Sequence, residues 1–438
     1  MDKAASSPGI RKAEARTASA PRLRRNLFAM IAWQIGNYLV PLATFPYLTR
    51  VLGPTGFGVL GYASAIAVYG VLWTEWGFNL SGPRAIIECR GDKAAINDFI
   101  WSVIFAKVLL CFVSLIALAV AMHFDRHAAA ALPVVLMSWI AVVSNVFTLN
   151  WVLQGLERFS LFATVSLAGR FATLPLIFVF VKSADDIAVA AAIQASAPCL
   201  TAVFSLLMVR RLGLLGQPGR AWRAAARRLA QGADMFVSTI SVSLFGVTNT
   251  VLLAALSGPY QVGIYAAADR IKTVGNMVPA QINTVLYPRV TALMLDKPRS
   301  AAKLTALGFA ATLVITGLGV LVFTALSGYV TGVILGSGFG AAAPVLTLLC
   351  LATVFGNLAY LLGLQVLVPF ANGKLRSMVM LVAGVLNIGL SFALIPRFGA
   401  RGAAWAFLIA EVAILAVFVT VILGSRRMRT HFTQLLRI

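Results

Sequence analysis

Close cysteine pairs, acidic side chains and long polar stretches are scarce in this sequence, and each shortage removes a class of protein. The four cysteines, Cys89, Cys111, Cys199 and Cys350, are far apart and mostly inside apolar runs. That spacing excludes a paired-cysteine zinc site and a disulfide framework, and leaves the thiols as packing residues. Asp and Glu number 14 against 36 Lys and Arg, a net charge of +22. In a soluble chain that excess points to nucleic acid, but here the positions of the charges exclude such a partner. No polar stretch is long enough for a soluble domain. No small-residue cleavage site follows a short apolar core near the amino end, so the first 25 residues read as a cytosolic tail before a retained span. No catalytic group, metal or organic cofactor is expected.

Apolar length is what remains. Hydrophobic residues make up 60% of the 438 and charged residues 11%, with a mean hydropathy of +0.89, above the roughly 45–50% apolar share of soluble domains. A span needs ~20 apolar residues, and the chain divides into twelve. The first six are Leu27–Leu48, Phe57–Leu80, Phe99–Met122, Ala129–Leu153, Leu161–Val181 and Ile187–Val209. After a basic joint come Met235–Leu256, Val262–Leu286, Leu304–Leu326, Ala341–Leu367, Met378–Ile395 and Ala403–Leu423. The expected organisation is a basic tail at 1–25, an N-lobe of six helices at 26–209, a basic linker at 210–229, a C-lobe of six helices at 230–424 and a basic tail at 425–438. The Gly-rich segment Gly328–Gly340 is a poor span and reads as an interfacial turn into the tenth helix.

With both termini cytoplasmic, the segments on that side hold 27 of the 36 basic residues. The opposite side holds five: Arg50, Arg126, Lys182, Arg397 and Arg401. This is the positive-inside asymmetry, which sets orientation and accounts for most of the net charge.

An internal repeat is the most specific signal. Shifted by 205 residues, Gly53, Pro54, Gly58, Ala63, Gly70, Pro83 and Arg84 fall on Gly258, Pro259, Gly263, Ala268, Gly275, Pro288 and Arg289. The second and eighth spans are therefore equivalent. Six spans separate them, so the halves share one orientation, a parallel repeat about an axis along the membrane normal and one of the two layouts found in secondary transporters.

The stretches PYLTRVLGPTGFGVLGYASAI, EWGFNLSGPRAI and GIYAAADRIKTVGNMVPAQINTVLYPRV resemble the polysaccharide transporters of the multidrug/oligosaccharidyl-lipid/polysaccharide superfamily, the Wzx-type flippases. The similarity runs from Asn26 to about Gly424. It implies an all-α integral membrane protein with two six-helix lobes around a central cavity, working by alternating access in the bacterial inner membrane. It implies an undecaprenyl-diphosphate-linked oligosaccharide turned from the cytoplasmic to the periplasmic leaflet for O-antigen, capsule or exopolysaccharide assembly. Polysaccharide polymerase and chain-length machinery are the partners that go with that role, beside membrane lipids.

A charge at a span centre costs ~2.5–3.5 kcal/mol on insertion scales, so such residues face a cavity or a partner. Glu75, Lys107, Arg170, Asp269, Arg270, Lys272 and Glu411 are of this kind. The set is positive by one, or by two with Arg50 at the mouth, which suits a diphosphate: Arg offers bidentate contacts and Lys a point charge. Substrate contact is expected of Arg50, Lys107, Arg170, Arg270, Lys272 and Asn276. H+ or Na+ coupling is expected of Glu75, Asp269 or Glu411. At ~100° per residue, Asp269, Lys272, Asn276 and Asn283 fall within roughly 60° on the eighth span. Ser64, Glu75 and Asn79 form a weaker stripe on the second, and Gln34, Asn37 and Thr44 one on the first. Plainer readings stand beside these. Asp269 with Lys272 equally forms a structural pair that lets the helix insert, Arg50 can snorkel from a span end, and Glu75 can pair locally. The rival functions are a cation-coupled multidrug exporter, which needs a more acidic cavity, a membrane-embedded glycosyltransferase or polymerase, which needs a large aqueous loop, and a scaffold, for which mid-span charges are wasteful.

Overall fold

The computed structural model describes residues 8–89, 91–124, 128–219, 221–370, 372–426 and 428–429. Parts of the expected basic tails lie outside the described residues, namely Lys3 and residues 430–438, as do Arg90, Arg126, Arg220 and Arg427. Among the described residues the elements are all helical, with no strand.

Two long helices organise the bundle, each bent where the repeat places a glycine. Helix α1 (Pro8–Glu75) joins the first two expected spans across Gly53, at φ 65° and ψ 178°. After α2 (Phe78–Glu88), α3 (Lys93–Phe124), α4 (Ala128–Phe147), α5 (Asn150–Gly155), α6 (Phe159–Phe180) and α7 (Ile187–Arg211) comes α8 (Trp222–Gly275). Helix α8 carries the end of the linker, the seventh span and half of the eighth, bent at Gly258 with φ 79° and ψ 174°. Backbone of this kind is essentially restricted to glycine, because a β-carbon would clash with its own peptide neighbours. The repeat seen in sequence is thus a repeat of one forbidden corner, followed in each half by a proline that supplies no N–H to restore the helix across it.

The chain continues as α9 (Met277–Asp296), α10 (Pro298–Ala325), α11 (Ser327–Val330), α12 (Ala342–Leu362), α13 (Gly373–Phe398) and α14 (Ala400–Gly424). Among the described residues, ten helical stretches are long and apolar enough to cross a membrane. Two of them, Ala32–Glu88 and Val247–Gly275, contain the glycine bends, and dividing them there gives the twelve spans in two lobes. The eighth span is interrupted at Asn276, between α8 and α9.

Helices α1 and α8 pack more extensively than any other pair, and reciprocally. A β-carbon added at Gly58 would collide with the Pro259 carbonyl, and one added at Gly263 with the Pro54 carbonyl. Each half thus lays its glycine on the other half's proline, as a twofold axis through the crossing requires. The main core cluster surrounds this crossing, with Leu52, Leu60 and Ala63 on one side and Val262, Ile264 and Ala267 on the other. We call this the bend end of the bundle.

The opposite, linker end is asymmetric. Asn97 on α3 accepts from Gly216 N–H (2.7 Å) and donates to the Gln217 carbonyl (3.0 Å), and the Trp101 indole donates to the Gly216 carbonyl (2.9 Å). Farther on, the Trp76 indole donates to the Leu229 carbonyl (2.8 Å) and its ring stacks on Phe236 with centroids 4.0 Å apart. Trp76 takes a left-handed φ of 43°, a strained conformation for a bulky side chain, and these two contacts from α8 hold it there. The linker is therefore fastened along the N-lobe.

Candidate functional site

Just inside the crossing lies a cavity of about 370 Å³ between the lobes. From α1 come Thr44, Phe45, Phe57, Gly61 and Ser64, from α6 Arg170 and Thr173, and from α7 Gln194. The C-lobe contributes Thr250, Ala266, Asp269 and Arg270, all from α8. Small residues make the space: Gly61 faces Ala266 on the other lobe, where a β-carbon would stand 3.4 Å from the alanine's own. Ser64 and Asp269, and Ala65 and Arg270, are repeat mates 205 residues apart, and all four line the cavity.

Arg170 and Arg270 enter from opposite lobes and are close enough to repel. Asp269 is the acid among the lining residues; it pairs with Lys272 at 2.6 Å and also attracts Arg270. With one carboxylate already engaged, two guanidiniums leave an uncompensated positive charge. In a low-dielectric space this is a site for an anion with oxygens on two sides.

The other expected site residues lie elsewhere. Lys107 is 1% exposed, inside the N-lobe, where Nζ donates to the Asn145 carbonyl (3.2 Å) and interacts with Glu75. Near the end of α4 at Phe147 that carbonyl also accepts from the Thr148 N–H (3.3 Å), while the Leu149 N–H turns to the Ser205 hydroxyl (3.0 Å), so Lys107 takes the carbonyl's second acceptor site. Lys272, with a side chain 14% exposed, lies behind Asp269, its Nζ 4.7 Å from the centre of the Phe407 ring and within the field of Glu411. Asn276 accepts from the Asn357 amide (2.5 Å), and Gln365 on the same side donates to the Asn283 carbonyl (3.3 Å). The polar stripe of the eighth span therefore divides: Asp269 lines the cavity, and Asn276 and Asn283 tie α8 and α9 to the tenth span.

Arg50 lies past the cavity at the bend end. Its guanidinium donates to the Val333 carbonyl in the π-helical turn Thr331–Leu335. Gly336 (φ 98°) leaves that turn beside the Arg50 side chain, Gly338 packs on Pro54, and Phe339 meets Phe57 with ring centroids 6.3 Å apart. The Gly-rich segment is thus an elbow of the C-lobe clipped onto the N-lobe corner.

Gln194, Thr173 and Thr250 carry no signal in the sequence. Each is one of several neutral polar residues in its helix, and only the helix packing shows that it faces the cavity.

Comparison with known proteins places this geometry. The profile of the family described as "Polysaccharide biosynthesis protein" matches residues 23–294. A putative O-antigen transporter of Escherichia coli (strain K12) is 30% identical over 92% of this chain and 97% of its own length. One of Shigella dysenteriae is 24% identical over 90% and 98%. Among solved structures, the lipid II flippase MurJ in an inward closed conformation superposes with a TM-score of 0.72 at 12% identity, over 94% of this chain and 90% of that one. An inward-facing multidrug resistance MATE family transporter of the MOP superfamily gives 0.62 at 15% identity, over 93% and 99%.

Proposed function

The chain belongs to the polysaccharide biosynthesis protein family, and we propose that it flips an undecaprenyl-diphosphate-linked oligosaccharide across the bacterial inner membrane by alternating access. The O-antigen transporters it resembles support a role in O-antigen, capsule or exopolysaccharide assembly, with polymerase and chain-length machinery downstream. Both termini and the linker are cytoplasmic in this reading, because basic residues concentrate on that side. The bend end then faces the periplasm.

The observation that carries the proposal is the pair Arg170 and Arg270, presented from opposite lobes to one cavity. An isolated cation lets a helix insert only at a penalty. Two of them facing each other across a movable interface are explained by an anion that bridges the lobes. A multidrug exporter for cationic compounds, the principal alternative, would be repelled by the same pair.

Purified protein in liposomes should move the lipid-linked oligosaccharide that accumulates in cells lacking it. Absence of flux, or flux of a cationic dye instead, would sink the proposal. We further propose that H+ or Na+ drives the exchange through Asp269, which both Lys272 and Arg270 attract. An anion on Arg270 weakens that hold and frees the carboxylate for a cation. Asp269→Asn should keep substrate binding and lose its response to an imposed pH or sodium gradient. A native response in that variant shifts coupling to Glu75 or Glu411.

A further inference from the structure

The cavity is layered along the bundle axis. Gly169 on α6 packs against Ala197 and Leu200 on α7, and since these helices run antiparallel, Thr173 lies level with Gln194. Gln194 is thus one turn, ~5 Å, nearer the bend end than Arg170. In the C-lobe, Asn249 donates to the Tyr265 hydroxyl (3.3 Å) across the Gly258 bend. Thr250 therefore lies level with Tyr265, about one turn nearer the bend end than Arg270. The arginines with Asp269 form one tier. Gln194 and Thr250, one from each lobe, form a second and neutral tier between the arginines and the sealed crossing.

Neither Gln194 nor Thr250 has a hydrogen-bond partner among the described residues, whereas Thr44 and Thr173 spend their hydroxyls on Val40 and Arg170 carbonyls. An amide offers an acceptor and two donors, and a threonine hydroxyl offers both roles. Arg only donates. Hydroxyl and N-acyl groups taken out of water need partners of both kinds, and a phosphate needs donors alone.

We propose that Gln194, with Thr250 opposite, binds the saccharide of the substrate, which points to the bend end while the diphosphate lies between Arg170 and Arg270. This rests on the flippase reading and adds the orientation of the substrate and the residue that senses its glycan. Gln194 would be the contact that separates a glycosylated lipid from the bare carrier, which both carry the diphosphate.

The test compares affinities of the protein in nanodiscs for two probes: the oligosaccharide lipid that accumulates in cells lacking the protein, and polyprenyl diphosphate without sugar. The native protein should bind the first about tenfold more tightly, the worth of one or two hydrogen bonds. Gln194→Leu should erase most of that margin and leave affinity for the bare diphosphate unchanged, which also shows that the variant is folded. Thr250→Val should reduce the margin less, and Arg170→Ala should weaken both probes. An undiminished margin in Gln194→Leu, or no margin in the native protein, overturns the assignment. A native protein that binds neither probe overturns the flippase reading itself, and this inference with it.

Discussion

At Gly53 the backbone of α1 turns with φ 65° and ψ 178°, and at Gly258 that of α8 turns with φ 79° and ψ 174°. Each bend is followed by a proline and a glycine that seat on the other helix. Farther into the cavity the likeness ends: α1 presents Ser64 and Ala65 where α8 presents Asp269 and Arg270. The two halves are equivalent at the crossing and inequivalent along the cavity, where we propose that the substrate binds. Closure needs two surfaces that fit each other in one register, which a twofold repeat supplies directly. Recognition of a substrate whose two ends differ needs the symmetry broken, and the N-lobe's cation accordingly comes from α6, as Arg170, and not from the repeat mate of Arg270.

The largest effect should come from breaking the asymmetric side of this comparison. Arg270→Ala removes charge-assisted bonds worth about 3 kcal/mol together, or roughly a hundredfold in transport, with normal insertion. Adding Ala65→Arg to that variant places a guanidinium at the repeat-equivalent position of the same cavity and should restore part of the flux, measured in liposomes. If the double variant is as inactive as the single one, the cation must belong to the C-lobe and the lobes are not interchangeable at this site.

The symmetric side makes the next prediction. Gly58→Val and Gly263→Val each drive a side chain into a carbonyl of the opposite half, and overpacking of this kind costs about 1–3 kcal/mol. Both should lower transport roughly tenfold and by similar factors, and both should open the cavity to a membrane-impermeant thiol reagent from the bend end, read at a cysteine placed at Ser64. A large effect at one position alone would show that the closure is not shared equally.

These predictions mark what the sequence could and could not convey. The corners were legible because they need Gly at fixed places, and a repeat of Gly and Pro at one spacing survives in one dimension. Arg170, Asp269 and Arg270 were legible because a mid-span charge must have a destination. Lys107 is the same kind of residue with another destination, the Asn145 carbonyl near the end of α4, and a helix end of that sort leaves no periodic trace. Gln194 and Thr250 are neutral and stand among other small polar residues of their helices, so no charge demands a destination and nothing sets them apart.

A smaller effect is expected from the elbow, which has no N-lobe counterpart among the described residues. Arg50→Ala removes the bond to the Val333 carbonyl, but Arg50 and Val333 are both exposed, where water replaces most of what is lost. Transport should fall only a few-fold, through weaker closure at the bend end, and affinity for bare polyprenyl diphosphate should not change. A loss of diphosphate affinity in this variant would return Arg50 to the substrate path.

The smallest effect lies outside the spans, in the turn from α6 to α7. Asp186 accepts hydrogen bonds from the Lys182 N–H (2.9 Å), the Ser183 N–H (2.8 Å) and the Ser183 hydroxyl (3.0 Å). These bonds favour the charged form and hold the carboxyl below its ordinary range. A carboxyl lowered in the folded state binds its proton more weakly than in the unfolded chain. Its stabilisation is therefore complete above the unfolded value of about 3.9 and fades as pH falls through the folded one. Hydrogen exchange at the Lys182 and Ser183 amides, corrected for the intrinsic rate, should be constant from pH 7 to about 5 and accelerate only below about 4. Asp186→Ala should exchange fast at every pH while transport stays within about twofold, as is typical of exposed hydrogen bonds away from the site. The repeat mates in the crossing carry no ionisable group, and Gly58→Val and Gly263→Val leave Asp186 in place, so these variants should keep the pH step at the turn unchanged. Its loss or displacement there would mean that the turn and the crossing close as one unit.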